Sequence, residues 1–473
     1  MYTVFMAITR RRWSIRTATW LVICVLGWQW TLPLSAGALS IPEEIQIGRK
    51  ILKNARKSSI IVNDYLVNRV VREIGQRLVR QAGETPFDFQ FIVIKSDALN
   101  AFNVPGGLVF LSSGLLAFIE DENELAGVMA HEISHGISRH VSKMISKQKK
   151  LGLAAFMAMI IGAVLARSAK GAQASASLPM AAAQSFALKY SREYEEEADA
   201  GGLRMMAGAG FSPRAMVQLM NKFRQESTIL PDVPSYLLTH PLEDVRMARM
   251  EGLLDGMQVS TASPFSGKEY GKIRARMMVT NKGTEEAIRV FQSTLDKDPR
   301  RTDDLFGLGI ALREKGDFYA AANALYKASK LNYGSAEILK ELGRCYFEWG
   351  RFQEAVRTLQ VALQFDNEDI DALYYLGRAH EEMDNNSEAL IMFRRLEERN
   401  PHYNTLYYHM GRVYDRMGKR CMSHYCLGQH FRLMGNSKME HFHFNQVDNL
   451  QKQGNCAADD KPPARPKKDN QDG

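Results

Sequence analysis

Two histidines and a glutamate in this chain have a spacing that suits metal-dependent hydrolysis. His131, Glu132 and His135 form the pattern H-E-x-x-H within residues 121–139, which the apolar periodicity predicts to be a helix. On a helix, residues four apart lie on one face, so both imidazoles can bind one zinc ion while Glu132 accepts a proton from the attacking water. The pattern is therefore typical of a zinc peptidase, although a buried helix can also carry two histidines without a metal.

Zinc needs a further protein ligand, and residues 190–199 offer several carboxylates. They are Glu193, Glu195, Glu196, Glu197 and Asp199. Glu195 and Asp199 are four residues apart, so on a helix one can reach the metal while the other accepts a ring N–H from a ligating histidine. Spacing alone does not choose among the four glutamates, and an acidic run is also typical of a solvated helix face.

The two motifs together resemble a known family. H-E-x-x-H with S-R-x-x-E-x-x-A-D is similar to the gluzincin family that includes the CAAX prenyl proteases and the HtpX-like membrane quality-control peptidases. The resemblance implies that Glu195 is the third zinc ligand and that Asp199 supports a ligand from behind. On this basis Glu193, Glu196 and Glu197 are expected to lie on other faces of the helix and to matter little.

Two further stretches strengthen the resemblance, which covers about residues 40–255. Residues 100–110 look like the family's N-A-F-x-x-P-G-G strand, which runs beside the active-site helix, although Asn103 stands where an apolar or small residue is more usual. His240 and Pro241, followed by Arg246, look like the family's H-P segment, which approaches the zinc from the C-terminal side.

His240 and Arg246 are expected to assist catalysis. Either side chain can stabilise the oxyanion, and His240 can also serve as a fourth ligand that controls access to the zinc. The alternative is that His240 is a structural histidine packed against the edge of the domain.

The second half of the chain is a repeat with a period of 34 residues. Small residues recur at this step at Gly309, Gly343, Gly377 and Gly411, and alanines follow the same step in the next helix. This register resembles that of tetratricopeptide repeats, in which small residues let paired helices pack closely. About four units are expected between Asn281 and Gly435. Such a solenoid presents a concave face for a peptide or a partner protein.

These observations predict a mostly α (α+β) chain: a gluzincin-type peptidase domain with a small sheet, followed by a tetratricopeptide α-solenoid. The expected segments are a signal peptide at 1–38, the peptidase domain at 39–258, a linker at 259–280, the repeats at 281–440 and a disordered tail at 455–473.

Charge and the first residues indicate export. Four arginines precede the apolar residues 18–34, and small residues at 36–38 suit a signal peptidase, so cleavage after Ala38 is expected rather than retention as an anchor helix. Cleavage would lower the formal charge from +8 to +4 by removing these arginines, which is too mild a charge to indicate nucleic-acid binding. The expected location is the periplasm.

Two features leave alternatives open. Residues 151–166 carry no charge and are expected to form part of a helical hairpin that touches a membrane or is buried in the peptidase domain. The cysteines that remain after cleavage of the signal are expected to be either disulfide-bonded or isolated buried thiols. They are Cys345, Cys421, Cys426 and Cys456.

The sequence therefore predicts an exported endopeptidase with one Zn²⁺ per chain, and the arrangement most resembles that of the periplasmic BepA-type proteins. The resemblance implies that it cleaves misfolded or stalled outer-membrane proteins and docks on the envelope assembly machinery through its repeats, with peripheral membrane contact as an option. The alternative is an assembly factor or chaperone whose protease site is largely latent.

Overall fold

A computed structural model describes residues 39–147, 190–229, 234–257, 269–403 and 405–463 of the chain. The predicted signal peptide and the apolar residues 151–166 lie outside these ranges. Among the described residues, none of the helices combines the length and the apolar character that crossing a membrane requires.

The N-terminal part combines short helices with a small sheet. Its elements in chain order are α1 (Ile41–Lys57), α2 (Tyr65–Gln81), β1 (Gln90–Ile94), β2 (Ala101–Val104), β3 (Leu108–Ser112), α3 (Ser113–Phe118), α4 (Glu122–Ile137), α5 (His140–Lys147), α6 (Arg192–Ala209), α7 (Arg214–Ile229), α8 (Ser235–Thr239) and α9 (Asp244–Asp255). Together with the helical repeats that follow, they confirm the predicted fold class.

The sheet formed by these strands has the order β1-β3-β2, with β1 parallel and β2 antiparallel to the central strand β3. Both faces of β3 are covered, because Val109 and Leu111 belong to one apolar cluster while Leu108 and Phe110 belong to another. A central strand buried on both sides reads as a continuous apolar run, as this one does.

Helix α4 is buried along nearly its whole length between α2, α6, α7 and the sheet. It begins at Asp121, whose side chain accepts hydrogen bonds from the backbone N–H groups of Asn123 and Glu124. Glu124 does not close a capping box, since its carboxylate accepts from the N–H of Glu120 and pairs with Lys222. The cap satisfies backbone donors that burial would otherwise leave unpaired.

The predicted linker at 259–280 is wrong for its second half. Residues 270–280 belong to helix α10 (Tyr270–Lys282), and Tyr270, Ile273 and Met277 lie in the apolar core of the peptidase domain. The opposite face of α10 contributes Ala275 and Val279 to the core of the repeats. One helix therefore belongs to both cores, which a flexible linker would not do.

The remaining helices form an antiparallel array that continues from α10. They are α11 (Thr284–Lys297), α12 (Thr302–Lys315), α13 (Phe318–Leu331), α14 (Ala336–Glu348), α15 (Phe352–Phe365), α16 (Ile370–Glu382), α17 (Asn386–Arg399), α18 (Leu406–Arg416), α19 (Arg420–Leu433) and α20 (Ser437–Lys452). The 34-residue register pairs α10 with α11, so the array begins before Asn281, the predicted start of the units.

The small residues of the repeat lie where paired helices pack against each other, as their residue types predict. A Cβ at Gly343 would lie 2.6 Å from Leu359, and one at Gly377 would lie 2.6 Å from Phe393, so these glycines allow the paired helices to approach. Gly350 ends α14 in the left-handed region with φ 79°, and Asp384, which replaces glycine at that step in the next repeat, adopts φ 57°. Aspartate tolerates this conformation better than most residues do.

The predicted disordered tail is wrong for residues 455–463; the rest of it, residues 464–473, lies outside the described ranges. Cys456 forms a disulfide with Cys421 at the start of α19. Asp460 accepts hydrogen bonds from the backbone N–H groups of Cys421 (3.0 Å) and Met422 (2.9 Å), and so caps the helix from a distance. Cys345 and Cys426 are free and buried, so both alternatives for the cysteines occur.

Candidate metal centre

The two histidines of α4 face each other in the buried interior. Their Nε2 atoms are 3.0 Å apart, and neither side chain is exposed to solvent. This separation follows from their i, i+4 spacing, which places them one helical turn apart on one face.

Helix α6 brings the third predicted ligand to the same point. Glu195 places one carboxylate oxygen 3.5 Å from Nε2 of His131 and the other 3.4 Å from Nε2 of His135. The close approach of α6 to α4 depends on glycine, because a Cβ at Gly202 would lie 3.2 Å from the backbone nitrogen of His131. A side chain there would meet the backbone of α4 in a tighter contact than most Cβ atoms make.

His240 joins the cluster from the end of α8. Its Nδ1 lies 2.9 Å from Glu195 and 3.2 Å from Nε2 of His131, and its ring stacks on Tyr236 with centroids 4.5 Å apart. His240 is fully buried, and its role stays a prediction.

These four residues suit a zinc ion. One ligand atom from each of His131, His135, Glu195 and His240 lies within 4.8 Å of all the others. Ligands bonded to zinc at about 2.0–2.1 Å in a tetrahedron are about 3.3 Å from one another, close to the separations observed. Imidazole nitrogen and carboxylate oxygen are also donors that zinc prefers.

Charge balance gives an independent test of the fit. Glu132, Glu195 and Asp199 are buried, and Arg246 is the buried guanidinium that contacts the last two. The three carboxylates outnumber this guanidinium, and buried charges are retained when they are paired or bind a metal. Burial opposes protonation of His131, but its hydrogen bonds to Asp199 and Glu195 outweigh it and raise the pKa of His131 to about 9, so the cluster favours positive charge at this point.

Glu132 lies beside the cluster rather than in it. Its Oε2 accepts a hydrogen bond of 3.0 Å from the backbone N–H of Asn103 in β2, and its Oε1 is 3.4 Å from Nε2 of His240. Burial raises the pKa of Glu132 above its ordinary value, which favours a group that takes up a proton near neutral pH. Because the donor of this hydrogen bond is a backbone N–H, the unusual side chain of Asn103 does not affect it.

Asp199 and Arg246 support the ligands from behind. Asp199 lies 3.0 Å from Nδ1 of His131, and Arg246 donates to both oxygens of Asp199, at 2.6 and 2.8 Å. Burial opposes ionisation of Asp199, but the hydrogen bonds from Arg246 outweigh it and hold the pKa of this carboxyl below its usual value. Arg246 also contacts Glu195 at 2.6 Å, and its expected part at the oxyanion stays a prediction.

Two residues near the site were missed by the sequence analysis. His140, the first residue of α5, places its Nδ1 2.8 Å from Nδ1 of His135, and its Nε2 lies 3.1 Å from Glu197. Glu197 was expected to lie away from the site. The signal in the sequence was a third histidine five residues after His135, just beyond the end of α4.

A cavity of about 390 Å³ borders the cluster and is lined by Tyr190, Arg192, Glu195, Pro241 and Arg246, among others. Of the predicted ligands, Glu195 contributes to its wall.

Two known protein families match this chain, and the matches agree with the observed cluster of predicted ligands and with the helical repeats. Residues 66–254 match peptidase family M48, and residues 280–330, 306–370 and 349–411 match tetratricopeptide repeats. These matches confirm the resemblance that the motifs predicted.

Individual relatives match about half of the chain. The beta-barrel assembly-enhancing protease of Yersinia pestis is 32% identical over 51% of this chain and 50% of its own length. The protein of that name in Escherichia coli K12 is 33% identical over 46% of each. The chain therefore spans about half the length of these curated relatives. The crystal structure of MamA, at 23% identity, covers 35% of this chain and 94% of its own with a TM-score of 0.31.

Proposed function

We propose, from the premise that residues 66–254 form a domain of peptidase family M48, that this protein is a periplasmic zinc endopeptidase for misfolded or stalled outer-membrane proteins. The observation that carries the proposal is the convergence of His131, His135 and Glu195 on one buried point with Glu132 beside it. The names of the relatives add the substrate class, because both are called beta-barrel assembly-enhancing proteases.

In the proposed mechanism His131, His135 and Glu195 hold one zinc ion. When bound, zinc acts as a Lewis acid that polarises the scissile carbonyl and the attacking water. Glu132 accepts the proton of the water and passes it to the leaving amine. The backbone N–H of Asn103 orients the Glu132 carboxylate for both transfers. Arg246 or His240 is proposed to stabilise the developing oxyanion.

His240 has a second proposed role as a ligand that closes the site at rest. Its Nδ1 lies among the donor atoms of the cluster, so a substrate carbonyl must displace it to approach the same point. This arrangement supports part of the alternative function, an assembly factor with a latent protease site. The intact base and ligands favour the peptidase, because a chaperone needs neither.

The repeats are proposed to dock substrates or the envelope assembly machinery. Tetratricopeptide solenoids bind partners on their concave face, and a tethered second module raises the local concentration of substrate without new catalytic contacts. The Cys421–Cys456 disulfide supports a periplasmic location, since such bonds persist in oxidising compartments.

The proposal is tested by comparing the purified wild-type protein with Glu132→Gln on casein and on an unfolded outer-membrane β-barrel protein. Glu132→Gln is expected to retain zinc and to lose about 10²- to 10⁴-fold in cleavage rate, because the proton acceptor is removed while the ligands stay. Glu196→Gln is the matched control, because Glu196 lies next to Glu195 on α6 but pairs with Arg249 of α9. Cleavage by Glu132→Gln at the wild-type rate would contradict the mechanism, and activity on casein alone would contradict the substrate class.

A further inference from the structure

His135 makes a second polar contact on the side of its ring that faces away from the cluster. Its Nε2 points at Glu195 and His131, so Nδ1 is the atom left to hydrogen-bond. That atom lies 2.8 Å from Nδ1 of His140. The two ligating histidines therefore differ, because the equivalent partner of His131 is the carboxylate of Asp199.

Only one assignment of protons satisfies these contacts when His135 binds a metal. Nε2 of His135 must present its lone pair, so Nδ1 carries the proton and donates it to Nδ1 of His140. His140 then carries its own proton on Nε2 and donates to the carboxylate of Glu197 at 3.1 Å. Ser138 donates to the other oxygen of Glu197 at 2.5 Å, which fixes the carboxylate in place.

The backbone and the packing hold His140 in this position. Arg139 turns the chain between α4 and α5 with φ 53°, a left-handed conformation that is uncommon for arginine. The guanidinium of Arg139 forms an ion pair with Glu44 and donates a hydrogen bond to the backbone carbonyl of Leu39. The ring of Tyr194 stacks on His140 with centroids 4.2 Å apart. Strained residues persist where the surrounding structure holds them, and they cluster at functional sites.

We propose that His140 and Glu197 are positioning residues that fix His135 in the tautomer whose Nε2 binds the zinc. The inference rests on the proposed zinc centre and adds a series of hydrogen bonds, from His135 through His140 to Glu197, behind one of its ligands. Partners of this kind behind a ligand change metal affinity by about 10- to 100-fold.

The test measures zinc affinity by chelator competition, and the visible spectrum after cobalt substitution, in the full-length protein. His140→Phe keeps a ring against Tyr194 and removes the acceptor, and is expected to weaken zinc binding about 10- to 100-fold. His140→Asn offers one acceptor and one donor, and is expected to recover most of that loss and the wild-type cobalt spectrum. If His140 served only to pack against Tyr194, His140→Phe would bind zinc more tightly than His140→Asn, since phenylalanine preserves the packing better.

Glu197 gives a second test that does not depend on how His140→Phe folds. Its side chain is 53% exposed, so Glu197→Leu is expected to fold and to weaken zinc binding by about threefold to tenfold. The matched control is Glu196→Leu, which is expected to bind zinc as the wild type does. The inference is overturned if His140→Phe binds zinc normally, if His140→Asn is no better than His140→Phe, or if Glu197→Leu equals its control. Absence of zinc from the wild type would instead overturn the proposed function.

Discussion

Two buried clusters of charged residues in this protein differ in whether every carboxylate has a cationic side chain beside it. At the junction of the peptidase domain with the repeats, Arg276 of α10 lies 3.1 Å from Asp64 and 2.9 Å from Glu341, and it also pairs with Glu337. Lys340 pairs with Glu337 at 2.7 Å and with Asp369 at 3.1 Å. Each of these four carboxylates has a lysine or arginine partner. At the metal centre, Glu132 accepts a hydrogen bond from a backbone N–H and lies beside His240, and within the described part of the chain it forms no pair with a lysine or arginine.

The difference distinguishes a structural cluster from a site. Ionised groups are costly to bury unless they are paired, and the junction satisfies this rule from its own residues. The metal centre does not, because Glu132 has no such pairing within the described residues and imidazole nitrogens face the carboxylate of Glu195 instead. Imidazole donors gathered around a carboxylate indicate a cation-binding site, whereas carboxylates that are each paired with lysine or arginine indicate that two parts of the chain are held together.

The first prediction removes a cation from the junction cluster. Arg276→Met should reduce the free energy of unfolding by about 3–5 kcal/mol, because it leaves Asp64 without its partner and strips one cation from Glu337 and Glu341. Zinc affinity should change by less than about twofold, since effects at separate sites are nearly independent. Urea unfolding and chelator competition measure the two quantities.

The control for this prediction is Lys282→Ala on the same helix, which removes an exposed pair with Glu286 and should cost less than about 1 kcal/mol. Equal stability of Arg276→Met and Lys282→Ala would show that the junction does not depend on its charges. The contrast between the two clusters would then fail.

The second prediction sharpens the contrast within the metal centre. Glu195→Gln should lower zinc affinity more than Asp199→Asn, because Glu195 lies among the donor atoms while Asp199 reaches only Nδ1 of His131. The loss for Asp199→Asn should be about 10- to 100-fold. Chelator competition measures both, with Glu196→Gln as the control. A larger loss for Asp199→Asn would mean that the roles of the two carboxylates are exchanged.

The repeats could be predicted from sequence because their register is local and redundant. Glycine and alanine recur every 34 residues, and the structure places these glycines where a Cβ would meet the paired helix. The first helix of the array was missed because Ala275 of α10 stands where the later repeats carry glycine. The ordered segment at 455–463 was missed because neither the pairing of Cys456 nor the distant cap by Asp460 leaves a local pattern.

In the site as well, residues with a local pattern could be predicted, whereas a contact that depends on the tertiary structure was missed. Helical spacing and family resemblance named His131, His135, Glu195, Asp199, His240 and Arg246, and the structure brings all six together. The contact of His140 with His135 depends instead on the left-handed turn at Arg139. A period of 3.6 residues gives no information about a residue beyond the end of the helix.

Elemental analysis of the purified protein tests most directly whether the cluster of His131, His135, Glu195 and His240 holds one zinc ion. The wild type and Glu132→Gln should each contain one zinc per chain, because Glu132 is not a ligand. The double variant His131→Ala/His135→Ala should contain none, since only Glu195 and His240 of the four donor residues remain. A wild type without zinc, or the double variant with one zinc per chain, would contradict the assignment of these ligands.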